Sequence, residues 1–190
     1  PFMRWLEMGI QFDYGTIRTT EVEWQRLYSC NVSVKRGMLE RVNGFDEERF
    51  PFGYEDLDLA RRMSCHGFRL LFNPAAQGEH LKTETLQSWR QKLERIAASE
   101  RRFIERYPSE RAYFYERFQA AARAPRARGR SGSLARYVRP GVPWLGPFVW
   151  RSFDLVCSQQ LAPAFLSSWE AAGLTGSTVP HPDNADIGQA

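Results

Sequence analysis

The stretch NGFDEERFPFGYEDLDLARRM, residues 43–63, decides how the chain is read. Asn43-Gly44 is a turn dipeptide, with Gly44 suited to a positive φ. Leu57, Ala60 and Met63 recur near the helical period, so a helix starts close to residue 55 and stops at Gly67. Gly53 is the expected N-cap, which sets Glu55 and Asp56 in the first turn. There, free amides and the positive end of the helix dipole stabilise negative charge, so their pKa values are expected to fall. Asp58 is rotated about 200° from Asp56 around the helix and is expected to pair with Arg62, four residues along. An ionised carboxylate at the mouth of a strand-loop-helix unit is also what a general base needs, if a hydroxyl approaches within about 3 Å. Acids in a first turn are ordinary helix chemistry, so one arrangement serves both capping and catalysis.

Outward from this centre, YSCNVSVKR (28–36) alternates as a strand and GMLERV (37–42) reads as one or two helical turns. FRLLFNP (68–74) is a short apolar strand stopped by Pro74, and AAQGEHL (75–81) is a second strand candidate. Leu86, Trp89, Leu93, Ile96, Phe103 and Tyr107 trace the stripe of a long amphipathic helix, with Glu100 standing where an apolar residue is due. Pro108-Ser109 breaks it, and Ser109 is the expected N-cap of a following helix over ERAYFYERFQAAAR (110–123).

A chain of 190 residues, 43% apolar and 14% aromatic, is long enough for a core in one domain or one plus an appendage. Cys30, Cys65 and Cys157 are scattered, which argues against a disulfide scaffold or zinc cluster and fits a reducing cytoplasm. The net charge of +4 is local, since residues 123–139 carry six arginines and no acid. The charge-free run LVCSQQLAPAFLSSW (155–169) has 15 residues, short of the ~20 that cross a bilayer. No signal peptide is recognised, and Pro1 reads as an internal start.

The order of elements over about residues 28–80 resembles the C-terminal half of the catalytic domain of family 2 glycosyltransferases, enzymes of GT-A fold that use nucleotide-sugar donors. The matched pieces are N-x-S-x-K at 31–35, GFDE at 44–47, G-x-ED-x-DL at 53–59, G-x-R at 67–69 and a histidine, His80, beyond Pro74. Several pieces in the right order are more specific than one short motif. The resemblance implies an α/β fold: the acceptor-side half of a GT-A domain over residues 1–107, followed by a helical extension over 108–174, with the basic linker inside it, and a flexible tail over 175–190. It implies Asp56 as the base that deprotonates the acceptor hydroxyl, facing an open cavity, with Glu55 orienting acceptor or base. Asn31 and Gly53 would border the substrate cleft, although Asn31 also suits a turn held by backbone hydrogen bonds, and Gly53 the close approach of an acceptor loop.

His80 would contribute to a divalent metal, Mn2+ or Mg2+, or else be a half-buried histidine bonded to backbone. The metal would be held mainly by an N-terminal half, since no D-x-D precedes residue 56. His66 and His181 are weaker candidates. The expected function is inverting transfer of a hexose from a nucleotide-sugar to a saccharide or lipid-linked acceptor in cell-surface polysaccharide or glycolipid synthesis, with this fragment alone inactive. The arginine run and aromatic tail suggest peripheral contact with anionic lipid at the inner face of the cytoplasmic membrane, or packing back onto the domain. The alternatives are a non-catalytic scaffold or a basic module binding nucleic acid or a membrane surface. Arginines without a groove give no specific nucleic-acid binding.

Overall fold

The structure is a computed structural model that describes residues 2–7, 10, 14–79, 81–126 and 146–175. The helices are α1 (Phe2–Glu7), α2 (Arg36–Arg41), α3 (Glu55–Ser64), α4 (Leu86–Arg106), α5 (Tyr113–Arg123) and α6 (Gly146–Thr175). Short 3-10 turns stand at Tyr14–Thr16, Trp24–Arg26 and Ser29–Asn31. Strands β1 (Glu21–Val22) and β2 (Leu70–Leu71) pair antiparallel, Glu21 opposite Leu71 and Val22 opposite Leu70. The described fold is thus mainly helical with a small two-stranded sheet, where an α/β half-domain was expected.

Among the described residues, two expected strands do not form. Residues 28–36 alternate, yet a strand needs a ladder partner, and the Ser29–Asn31 segment instead closes a 3-10 turn with Asn31 N–H donating to Tyr28 O at 3.3 Å. Residues 73–76 turn on themselves: the Ala75 amide donates to Asn73 Oδ1 at 3.0 Å and the Ala76 amide to Asn73 O at 3.1 Å, as asparagine commonly arranges. Asn31 Nδ2 donates to Ala76 O at 2.9 Å and ties these two turns together.

α4 opens on a capping box. The Ser88 amide donates to Thr85 Oγ1 and the Thr85 amide to Ser88 Oγ, each at 3.0 Å. α5 begins at Tyr113 rather than after Ser109, because its first amides find an acceptor from outside the helix, the buried carboxylate of Glu100 on α4. α6 packs along both α4 and α5. Its Phe153, Leu161, Phe165 and Trp169 enter one core with Trp5 and Leu6 of α1, Trp89, Leu93 and Ala97 of α4, and Phe118 of α5. A second cluster, Leu27, Val42, Leu59, Ala60 and Met63, seats α3 on the N-terminal turns. A third, Phe50, Tyr54 and Phe103, joins the approach to α3 with α4. The aromatic face of the C-terminal segment is therefore spent on the core, and none of the described helices is long and apolar enough to cross a membrane.

Phe165 is fully buried and touches Phe114, Phe118 and Trp169. Phe165→Ala should cost about 3–5 kcal/mol while leaving a single cooperative urea transition. A separate early transition for α6, with the remainder unshifted, would show that the helix does not share the core.

Candidate functional site

The site is built from the start of α3 and the turn at Ser29–Asn31. Helix α3 is capped not by Gly53 but by Tyr54, whose backbone is left-handed at φ 68° and whose carbonyl accepts the Asp58 amide at 2.8 Å. A left-handed tyrosine costs on the order of 1 kcal/mol or more and persists only where surrounding contacts enforce it. Gly53, at φ 74°, is also left-handed, and a Cβ there would stand 3.2 Å from Ile96 Cγ1. The close approach it makes is to α4. Gly44 has the expected positive φ of 61°.

Glu55 and Asp56 lie in the first turn as expected. Asp56 Oδ1 accepts from the Leu57 amide at 2.9 Å, and Oδ2 accepts from the Ser29 amide at a longer 3.4 Å. The expected downward shift is overturned for Asp56. Burial first, and the neighbouring charge of Glu55 second, push its pKa up to about 6, against the lowering pull of the Ser29, Leu57 and Asp56 amides. Desolvation outweighs the helix dipole here because the first turn is folded under the 29–31 turn instead of facing water. Glu55 Oε2 is buried with no hydrogen-bond partner among the described residues. Cys30, on the same turn, has its thiol pushed up by burial and then by the charge of Asp56. Tyr14 meets Tyr28 edge-on at 5.3 Å and stacks on Phe72 at 6.1 Å, so three aromatic rings gather near that turn.

Asp58 behaves as the spacing predicts and more. Completely buried, it accepts from Arg62 Nε at 2.8 Å and from Tyr107 Oη at 2.9 Å, with Arg106 Nη1 at 3.5 Å. It pins α3 to the end of α4, about 200° around the helix from Asp56. Arg62 also donates to Gly44 O at 2.7 Å and to Val42 O, fixing the loop that leads into the site.

Of the other sequence candidates, Asn31 ends the turn whose Ser29 amide meets Asp56, but its own amide nitrogen is spent on Ala76 O. His80 and His181 lie outside the described residues, as do residues 127–139 of the basic linker. Among the described residues no group of three His, Cys, Asp or Glu side chains is placed to hold a metal. Glu55 and Asp56 alone do not make such a site. A cavity of about 410 Å3 between α4 and α6, lined by Leu86, Gln87, Arg90, Gln160 and Leu161, includes neither acid.

Sequence reasoning missed Tyr54 and Glu100. Glu100 is fully buried, and its Oε1 accepts from Tyr54 Oη at 2.5 Å and from the Phe114 amide at 2.7 Å, while Oε2 accepts from the Tyr115 amide at 2.9 Å. Burial pushes its pKa up to about 7 against these three donors. The signal was present: an acid interrupting the apolar stripe of α4.

Residues 18–118, just over half of the chain, match the model of a protein family described as the N-terminal domain of galactosyltransferase. The chain belongs to that family. No curated protein and no solved structure matches it. The match runs from the residues just before β1 to the middle of α5 and takes in the acid pair, whereas α6 lies beyond it. This galactosyltransferase-family domain is accordingly a glycosyltransferase in the general sense, acting on a nucleotide-sugar donor and an acceptor.

The raised pKa of Asp56 has a stability consequence. A carboxyl that binds its proton more tightly folded than unfolded stabilises the fold most at low pH, and that contribution is lost as pH rises from about 4 to about 6. Asp56→Asn should therefore raise the unfolding free energy at pH 7.5 by about 1 kcal/mol, discounted for the two amide bonds that it perturbs. The gap should close below pH 4. A variant less stable than wild type at pH 7.5 would mean that the carboxylate is held comfortably.

Proposed function

We propose that Asp56 is the general base of an inverting glycosyl transfer and that Glu55 orients the acceptor. The carrying observation is a carboxyl lifted to about 6 in the first turn of α3. At neutral pH such a group is mostly ionised, yet basic enough to take a proton in the transition state, whereas the depressed carboxylate expected from the helix dipole would be a poorer base. Asp56 Oδ2, with only the long Ser29 contact, is the oxygen free to receive it. The acceptor O–H loses its proton to Oδ2 as its oxygen attacks the anomeric carbon. The bond from that carbon to the diphosphate breaks on the opposite face, and the nucleoside diphosphate leaves.

The unpartnered Glu55 Oε2 supports the orienting role. A buried acceptor oxygen without a donor costs about 1–3 kcal/mol, and a hydroxyl of the acceptor sugar would satisfy it. The family description makes galactose the first sugar to try.

The finer reading retains the family 2 resemblance: an acceptor-side half of a GT-A domain, working with a nucleotide-binding half, inactive by itself, and serving cell-surface polysaccharide or glycolipid synthesis. A divalent cation belongs to that reading through His80 and the other half, and no step above passes through it. Asn31 fits the role of holding the 73–76 turn against the cleft. Peripheral attachment at the inner membrane face would have to rest mainly on the arginine segment, because Phe153, Leu161, Phe165 and Trp169 of α6 are buried in the core.

In a full-length protein that transfers sugar from a nucleotide donor, Asp56→Asn should lower kcat by about 100-fold or more, with the fold intact by circular dichroism. Transfer at the wild-type rate would end the proposal and leave a scaffold that uses Asp56 only for capping.

A further inference from the structure

The acid pair is anchored from behind, by contacts that neither the family match nor the proposed base explains. Tyr54 immediately precedes Glu55, is 6% exposed, and packs its ring against Phe103 at 5.2 Å between centroids. Its hydroxyl ends on Glu100, whose two oxygens also hold the Phe114 and Tyr115 amides at the start of α5. One buried carboxylate thus joins three helices, and its link to α3 passes through the residue whose left-handed backbone aims the first turn.

We propose that Tyr54 and Glu100 are positioning residues: the hydrogen bond between them holds the first turn of α3 so that Asp56 stays against the 29–31 turn and Glu55 keeps its orientation next to it. The inference rests on the reading of Asp56 as base, but its first test does not use catalysis. The alternative is that the bond only contributes to general stability.

Tyr54→Phe separates the two. It removes one hydroxyl from Glu100 and leaves both amide bonds to α5 in place, so the helical core keeps its caps. The readout is the titration of the Asp56 carboxyl carbon by NMR in the 190-residue chain. Besides Tyr54 itself, the titratable groups facing Asp56 are Glu55 on its own helix and Cys30 from the adjoining turn, and both are unchanged in the variant. With the anchor gone, the first turn relaxes toward water and the Asp56 midpoint should fall by about one unit or more toward the ordinary carboxylate range.

Glu100→Gln is the conservative control. Its amide oxygen still accepts from Tyr54, while its NH2 opposes the Tyr115 amide, so the melting temperature should drop but the Asp56 midpoint should stay within about half a unit of wild type. In a transferring full-length protein, Tyr54→Phe should reduce kcat by about 10- to 100-fold with little change in KM. An Asp56 midpoint unmoved in Tyr54→Phe, or moved equally by Glu100→Gln, overturns the positioning role. A midpoint that moves only in Tyr54→Phe, in a protein whose Asp56→Asn variant still transfers sugar, upholds the positioning and removes the catalytic reading alone.

Discussion

The burial of one carboxylate organises this fold. Glu100 sits in the middle of a long amphipathic helix, fully removed from water, and an ionised acid there is tolerable only if donors surround it. The fold supplies them from two directions: a tyrosine hydroxyl at the mouth of α3 and the first free amides of α5. Each side solves the other's problem. The orphan amides of α5 gain a cap that their own sequence lacks, and Glu100 gains the bonds that offset its desolvation. The cost of failure is high on both sides, because removing any donor leaves buried charge less satisfied.

The same constraint reaches the acids of the glycosyltransferase domain. Asp58 is locked to Arg62 and Tyr107 on one side of α3, and Tyr54 is locked to Glu100 at its start. Between these anchors Glu55 and Asp56 have little freedom to turn toward bulk water. The result is a pair of like charges, partly desolvated, one with an unsatisfied oxygen and the other with a raised pKa. Accepting the desolvation penalty is characteristic of sites that do chemistry.

What the sequence made legible was mostly local. The α3 helix, its Asp58–Arg62 pair, the left-handed Gly44 and the course of α4 follow from periodicity, i to i+4 spacing and turn chemistry. Strand expectations failed at 28–36 and 75–81 because alternation says nothing about whether a partner strand lies within reach; Asn31 and Asn73 found closer acceptors and donors in turns. The start of α5 was misplaced for the same reason, its cap coming from a residue 14 positions away that no local motif encodes. The direction of the Asp56 shift also depended on burial, which is a property of the tertiary fold and not of the first turn. The acid pair itself was visible as a pattern, and the match over residues 18–118 places that pattern in a glycosyltransferase domain.

The most direct test of the account is the pH dependence of kcat/KM for sugar transfer by the full-length protein. If Asp56 must be ionised to receive the acceptor proton, the rate should climb on the acid side with a midpoint close to 6 and level off above it, one decade of rate per pH unit below the midpoint. A profile flat from pH 5 to pH 8, or one whose acid limb lies in the ordinary range near 4, would contradict it.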